Sequence, residues 1–321
     1  MPLVVDIKRG STEDGPGIRS TVFFKGCLLS CRWCQNPETM DPRAEIGFYP
    51  RHCLGCFDCE EVCPEGAVLR AKEARIDRSK CTRCGKCADV CPSKALRRIG
   101  TAWEVGDLLN HLLRDRVFYE ASGGGVTLSG GEPTLWPQYA GRLLRSLKEK
   151  GIHTALQTCG DFDYRAFKEE MLPWLDVIMY DLKLLDGKQH LRWTGRDNRR
   201  ILRNFSLLLK EGVDVVPRIP LIPGFTTSEE NLRGLSAFLK DHGVLKCSLL
   251  PYNPLGLSKW DSLGKSRSAL PAAWMESAHI EDCRRMCSPQ SSALVPPHPQ
   301  QWGRAQGEER DDESSKRFHG A

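Results

Sequence analysis

From residue 101 to about residue 264, short apolar runs alternate with longer amphipathic ones. GGVTLSGG (124–131) reads as a strand and a turn, and YAGRLLRSLKEKG (139–151) as an amphipathic helix stopped by glycine. HTALQTCG (153–160) and DVIMYDLK (176–183) are apolar with little alternation, as expected of strands covered on both faces of a parallel sheet. RRILRNFSLLLKEG (199–212) predicts a further helix and DVVPRIPLIPG (214–224) a further strand. Strand and helix in succession argue for an α/β fold built on a parallel sheet or barrel. After residue 265 the pattern stops. SSALVPPHPQQWGRAQGEERDDESSKRFHGA is rich in Pro, Gln, Ser and charge, and buries too little apolar surface to offset its ordering entropy. The stretch 265–321 is therefore expected to be a divergent, disordered tail.

Residues 46–100 interrupt this regime with an internal repeat. CLGCFDCEEVCP begins at Cys53 and CTRCGKCADVCP at Cys81, so one C-x2-C-x2-C-x3-C-P pattern recurs after about 28 residues. This is the spacing of bacterial two-cluster ferredoxins, with Pro64 and Pro92 in place, and the fourth cysteine of each run ligates the other cluster. Cys53, Cys56, Cys59 and Cys91 are expected to hold one [4Fe–4S] cluster, and Cys81, Cys84, Cys87 and Cys63 the other. Zinc knuckles are the bland alternative, but zinc spacings pair C-x2-C units across a longer gap, often with histidine. His52 falls outside the pattern and is expected at the surface.

The third feature precedes the repeat. In FFKGCLLSCRWCQNPE (23–38), Cys27, Cys31 and Cys34 follow C-x3-C-x2-C. A closed zinc site needs four ligands and a disulfide needs an even count. A four-iron cube held by three cysteines leaves one iron with no protein ligand, free to bind a small molecule as catalytic metals do.

Composition narrows the setting. The 321 residues are 40% apolar and 27% charged, with a net charge of +5, which gives no reason to expect nucleic acid or membrane as partner. No apolar run approaches the roughly 20 residues that span a bilayer, and MPLVVDIKRG lacks the regions of a secretory signal. Eleven of the 15 cysteines lie between residues 27 and 91 at metal spacings, which favours a reducing compartment over a disulfide framework. Cys283 and Cys287, C-x3-C, are too few for a cluster and read as incidental.

The three-cysteine loop, with Trp33 at its aromatic position, closely resembles the radical S-adenosylmethionine (SAM) superfamily. SxxDGPGIRSTVFFKGC before it and CQNPE after it narrow the resemblance to the activating enzymes of glycyl radical enzymes. VTLSGGEP, DLK, RIPLIPGF and LLPYNPLGLSKW are similar to further segments of that family, in the same order. The likeness spans about residues 4–264, and the repeat resembles the larger subtype, with a ferredoxin insert. It implies a partial (β/α)6 TIM-like radical SAM barrel with an inserted two-[4Fe–4S] ferredoxin-like domain. The implied domains are 1–45, 46–100 (the insert), 101–264 and the tail. It implies an oxidoreductase that reductively cleaves SAM to methionine and a 5′-deoxyadenosyl radical, which abstracts hydrogen from a backbone glycine of a partner enzyme. The cofactors would be three [4Fe–4S] clusters and SAM.

Carried over position by position, Cys27, Cys31 and Cys34 would hold the site-differentiated cluster. Trp33 and Asn36 would lie at the cofactor, Gly130, Gly131 and Glu132 at the SAM amino group, Asp181 at the ribose and Lys183 at the methionine carboxylate. The residue types suit these tasks: a glycine pair permits close backbone approach, Asp181 can accept two ribose hydroxyls, and Lys183 is a compact cation for a carboxylate. Singly, a glycine pair more often marks a turn, and a strand-end Asp or Lys is more often solvated. Only the combination points to a site.

The chain departs from the family at two places. Asn253 stands where a cofactor-contacting His is common. Gln157 replaces the acid of a possible monovalent-cation site that would also use Thr158 and Met179. The DGPG turn resembles the segment facing the partner's loop, where Asp14 could accept backbone N–H groups. The partners implied are a glycyl radical enzyme as substrate and flavodoxin or ferredoxin as electron donor, the chain itself a cytoplasmic monomer working without oxygen. The alternatives are another radical SAM enzyme with auxiliary clusters, acting on a small molecule or peptide, and a ferredoxin-type electron carrier. The position of the repeat directly after the radical loop argues against the first, and the GGE and DLK segments against the second.

Overall fold

A computed structural model describes residues 1–71, 74–266, 270–287 and 292–293. The chain opens with β1 (Leu3–Ser11) and β2 (Arg19–Phe24), an antiparallel pair. The cysteine repeat follows as a separate lobe: β3 (Glu45–Phe48), the single turns α1 (Asp58–Glu61) and α2 (Lys86–Asp89), and β4 (Leu96–Ile99), which pairs antiparallel with β3. The short β5 (Thr101–Ala102) returns to pair with β1.

Strand and helix then alternate. After α3 (Val105–Leu112) and α4 (Arg116–Ser122) come β6 (Gly125–Gly130), α5 (Pro137–Glu149), β7 (His153–Thr158), α6 (Tyr164–Glu170) and β8 (Val177–Asp181). They are followed by α7 (Gly187–Thr194), α8 (Arg199–Leu208), β9 (Asp214–Leu221), α9 (Glu229–Asp241), β10 (Ser248–Pro251), α10 (Leu257–Ser262), α11 (Ser277–Cys287) and the two-residue β11 (Ser292–Ala293). The sheet order is β11-β10-β9-β8-β7-β6-β2-β1-β5, and β2, β6, β7, β8, β9 and β10 run parallel. Among the described residues these six parallel strands, in chain order with helices between them, form the partial (β/α)6 barrel, and the two-residue β11 extends it parallel to β10.

Alternation along each strand divides the barrel into two faces. Val22, Phe24, Val126, Leu128, Leu156, Ile178, Tyr180, Ile219 and Leu221 are buried in one core with Leu143, Leu144 and Leu147 of α5, Phe205 of α8 and Leu235 of α9. Ala155, Val177, Met179 and Val216 form a small separate cluster on the inner face. Around it stand polar residues from the same strands: Arg19, Thr21, Thr127, Ser129, Gln157, Asp181 and Arg218. The runs that read as apolar on both sides thus carry polar residues on their inner face.

Helix ends follow local chemistry. Asp163, Asp186 and Ser228 accept the N–H groups of Ala166, Gln189 and Asn231 at the starts of α6, α7 and α9, and Gly195 ends α7 in the left-handed region. One expectation needs correction. Residues 277–287, placed in the disordered tail by composition, form α11, which packs on α9 and buries Ile280, Cys283 and Cys287 beside Cys247. Three apolar positions at helical spacing within a charged stretch suffice for one amphipathic turn pattern. The tail beyond residue 293 lies outside the described residues.

The insert keeps its internal repeat in the backbone. Gly55 and Arg83, Phe57 and Gly85, and Gly66 and Lys94 all have positive φ, and each pair is separated by the interval of the cysteine runs. Three of these six are not glycine, so each run tolerates local strain of roughly 1 kcal/mol per residue to coil around its sulfurs. The insert is tied to the barrel by a buried ion pair. Lys25, wholly buried at the end of β2, donates to Glu45 Oε2 (2.9 Å) and to the carbonyls of Glu38 (2.6 Å) and Asp41 (2.9 Å). Lys265 reaches the other oxygen of Glu45 at 2.9 Å.

Candidate active site

The loop of Cys27, Cys31 and Cys34 leaves the C-terminal end of β2, where the lumen opens. Main-chain bonds hold its shape: Gly26 and Cys27 donate to the carbonyls of Thr39 and Met40, and Ser30 and Arg32 to those of Thr194 and Trp193 at the end of α7. Trp260 Nε1 donates to the Cys34 carbonyl at 2.9 Å. The three cysteines pack with Trp33, Cys159, Leu184, Ile222 and Tyr252. Trp33 lies against Phe225, ring centroids 5.5 Å apart. In this apolar setting burial pushes the Cys34 thiol up to about 12 and the Cys31 thiol higher, with the Lys183 ammonium opposing both shifts. Cys27 moves the other way because Cys159 hydrogen-bonds to it. Buried thiols of this kind are inert until a soft cation displaces their protons, so the donor set fits an iron–sulfur cluster.

Near the loop lie Asp181 at the end of β8, Lys183 just beyond it and Arg218, paired with Asp181 from within β9. Lys183 Nζ is 3.1 Å from Asp181 Oδ2, and Arg218 Nε and Nη2 reach Oδ1 at 2.8 and 2.7 Å. The two cations outweigh burial and hold Asp181 below the usual carboxylate range, while Asp181 and the nearby thiols hold Lys183 protonated against desolvation. Arg218 went unnoticed in the sequence. Its only signal is the register that sets it beside Asp181.

The sign of this linkage gives a prediction. A lowered folded pKa adds stability that is complete above the unfolded value near 3.9 and is lost as pH falls through the folded one. Asp181→Asn leaves two buried cations unpaired, and is expected to destabilise by about 3–5 kcal/mol at pH 7. Anaerobic denaturant titrations should show that gap narrowing as pH falls below about 4 and closing only below the lowered folded value, where the wild-type carboxylate is neutral too.

The other positions are brought to the same end of the barrel but are engaged by the chain itself. Glu132 is fully buried and accepts from Thr134 Oγ1 (2.8 Å), Thr158 Oγ1 (2.9 Å) and the Cys159 N–H (2.8 Å). It clasps the ends of β6 and β7 and sets Cys159 beside Cys27. The glycine pair serves backbone packing: a Cβ on Gly130 would stand 2.3 Å from Phe24 N, and one on Gly131 2.1 Å from Gly26 O. Asn36 Oδ1 accepts from Lys259 Nζ at 2.7 Å. Asn253 Oδ1 caps the short turn 254–256 through Leu255 N–H at 2.9 Å.

The positions of the possible cation site are likewise filled from within. Gln157 bridges Ser129 (2.6 Å) and Asp14 (2.8 Å), and Thr158 is spent on Glu132. Asp14 also accepts from Ser11 Oγ and Thr21 Oγ1, so both of its carboxylate oxygens are engaged within the chain. The DGPG turn thus holds its half-buried acid against β2 and β7.

Two recesses occupy the insert. One, of about 340 Å³ including its mouth, is lined by Cys53, Cys56, Cys59 and Cys91, with Phe48, Arg75 and Leu96. The other, of about 320 Å³, is lined by Cys63, Cys81, Cys84 and Cys87, with Ile46 and Glu65. The fourth cysteine of each run thus lines the recess of the other run. Donors point at the sulfurs: Ala67 N–H to Cys63 (3.3 Å), Leu96 N–H to Cys91 (3.4 Å) and Arg75 Nη2 to Cys53 (3.4 Å). Four soft ligands and N–H donors that stabilise thiolate fit an iron–sulfur cluster in each.

Comparison with known proteins agrees with this chemistry. Residues 91–235 match the radical SAM superfamily, residues 74–97 a 4Fe-4S binding domain and residues 13–50 a 4Fe-4S single cluster domain. The chain is 38% identical over 289 residues to the trans-4-hydroxy-L-proline dehydratase activating enzyme of Clostridioides difficile, covering 89% of this chain and 95% of that one. It is 41% identical over 271 residues to the isethionate sulfite-lyase activating enzyme of Desulfovibrio desulfuricans, covering 82% of this chain and 86% of that one. It is 40% identical over 276 residues to the benzylsuccinate synthase activating enzyme of Thauera aromatica, covering 84% and 83% respectively.

Proposed function

Because the chain belongs to the radical SAM activating enzymes of glycyl radical enzymes, we propose that Cys27, Cys31 and Cys34 hold its catalytic cluster and that Asp181, Lys183 and Arg218 form the facing wall of the SAM site. When bound, the cluster supplies the electron that cleaves SAM to methionine and a 5′-deoxyadenosyl radical, which takes hydrogen from a glycine of the partner enzyme. Every other task falls to this chain. The apolar shell of Trp33, Leu184, Ile222 and Tyr252 keeps water from the loop. The Lys183 ammonium, held charged by Asp181, suits the methionine carboxylate, and the ionised Asp181 suits the ribose hydroxyls. Glu132, with no free oxygen, supports the site by fixing the strand ends rather than by binding the amino group. No cation is proposed at Gln157, whose amide and neighbours are already paired.

The observation that carries this reading is the meeting of three cysteines with no fourth ligand from their own run and a buried Asp–Lys–Arg group, at one barrel end, in a chain about 40% identical to such activases. The insert would hold two further [4Fe–4S] clusters, making three, and receive electrons from flavodoxin or ferredoxin. The chain would act as a cytoplasmic monomer in cells growing without oxygen. Which partner it activates is left open by near-equal identities to activases of a dehydratase, a sulfite-lyase and a synthase.

The test is anaerobic. The reconstituted protein should contain about twelve irons, form 5′-deoxyadenosine from SAM under reduction, and raise a glycyl radical EPR signal in one candidate partner. Iron with no nucleoside would reduce the chain to an electron carrier. Nucleoside with no radical in any glycyl radical enzyme would point to a different substrate.

Arg75 offers a narrower check. It is buried, donates to Cys53, packs over Phe57 with 4.7 Å from guanidinium carbon to ring centroid, and has no counterpart in the repeat. Its charge favours the reduced, more negative state of the group beside it. Arg75→Met is expected to lower the midpoint potential of one cluster by about 60 mV for each 1.4 kcal/mol of lost stabilisation. Potentiometric EPR should show the other two unmoved.

A further inference from the structure

β3 measures the distance of the two recesses from the catalytic loop. Its first residue, Glu45, is held by Lys25 and Lys265, and Lys25 lies two residues before Cys27. Ile46, the next residue, lines the recess of Cys63, Cys81, Cys84 and Cys87. Phe48 lines the recess of Cys53, Cys56, Cys59 and Cys91. A strand advances about 3.4 Å per residue, so the second recess lies about 7 Å farther out along β3. β4 agrees: Leu96, which lines the outer recess, pairs with Phe48 at the far end, and Ile99 pairs with Glu45 at the foot.

Side chains confirm the direction. Arg83, between Cys81 and Cys84, reaches Asp41 Oδ2 at 2.7 Å, just beyond the catalytic loop. Arg78, which faces Cys81 and Cys87 electrostatically, donates to Ile46 O (2.5 Å) and to Ser262 O (3.3 Å). Ser262 ends α10, and Trp260 of that helix donates to the Cys34 carbonyl. The named bonds from the outer recess stay within the insert: Arg75 to Cys53 and to Leu69 O, and Leu96 to Cys91.

We propose that the recess of Cys63, Cys81, Cys84 and Cys87 is the inner electron station and adjoins the catalytic loop, that the recess of Cys53, Cys56, Cys59 and Cys91 is the outer one, and that Arg78 is the positioning residue that holds the inner station in place. This rests on both recesses being cluster sites. One electron leaves an external one-electron protein reductant and one arrives at the group held by Cys27, Cys31 and Cys34, entering from the Cys63 side. No atom moves.

The test needs no turnover. Full-length reconstituted enzyme is reduced with dithionite, and the EPR signal of the catalytic cluster is identified by its change on adding SAM. Its microwave-power saturation reports the nearest paramagnetic neighbour, because dipolar relaxation falls steeply with distance. Cys84→Ala should lower the half-saturation power severalfold, and Cys56→Ala should leave it within twofold. Equal effects, or the reverse order, overturn the assignment. Each variant should also lose about four irons. Full iron in both would mean that the recesses are not cluster sites, a failure of the underlying reading and of this one together. Arg78→Met should keep all the iron yet lower the half-saturation power by loosening the inner station. Unchanged relaxation in that variant removes its positioning role.

Discussion

Cys34→Ala is expected to abolish 5′-deoxyadenosine formation even with dithionite as reductant, while about eight of about twelve irons remain. The alanine keeps what the backbone of residue 34 provides. Trp260 Nε1 still has the residue 34 carbonyl to donate to, and the residue 34 N–H still reaches Cys31 O. The loop therefore retains its course and loses only one sulfur. Two thiolates cannot hold a four-iron cube with a single open iron, so the defect is total rather than graded. Dithionite bypasses the insert, which separates this loss from any failure of electron supply. The measurement pairs an iron and sulfide count with chromatographic assay of the nucleoside. Nucleoside formation in this variant would mean that the loop is not the catalytic centre.

Gly131→Ala should be nearly as damaging, although it removes no ligand. The added Cβ would stand 2.1 Å from Gly26 O and 2.7 Å from Thr39 O. Both are main-chain atoms at the foot of the cysteine loop, joined to each other through Gly26 N–H. No rotamer relieves the clash. Either the loop moves, or the bonds from Gly131 N–H to Phe24 O and from Glu132 N–H to Gly26 O break. Two lost hydrogen bonds and overpacking together come to about 3–5 kcal/mol. Gly26 immediately precedes Cys27, so the first ligand is displaced. The expected outcome is a lower denaturation midpoint and loss of about four irons. Gly106→Ala is the control, since nothing lies within 4 Å of its added Cβ and it sits in α3 with ordinary φ. It should be neutral or slightly stabilising. Full iron and unchanged stability in Gly131→Ala would show that the foot of the loop is compliant.

The candidate ligand sets were legible in the sequence because their members lie close together in the chain. Cys27, Cys31 and Cys34 lie within eight residues, and each run of the repeat within eleven. Spacing of that kind is a local property, because a tight loop that aims sulfurs at one point is decided by the residues inside it. The alternating regime of strand and helix likewise followed from periodicity, since each element must bury one face. Even the exchange of Cys63 and Cys91 between recesses could be read from the repeated pattern.

What the sequence did not disclose depends on register between distant segments. Arg218 is a basic residue in a strand until β8 and β9 pair it with Asp181, 37 residues away. Asp14 reads as a turn acid with acceptors to offer until Ser11, Thr21 and Gln157 are seen to donate to it. Cys159 carries no motif, yet Glu132 holds its N–H and places its thiol at Cys27. The glycine pair signals close approach, but only the packing of β6 against the loop shows that the approaching group is the chain's own backbone. The candidate ligand sets are thus encoded locally, by soft sulfurs at fixed intervals. The charge and hydrogen-bond field around those ligands comes from strands brought side by side, and a register is a property of the folded sheet that no single segment carries.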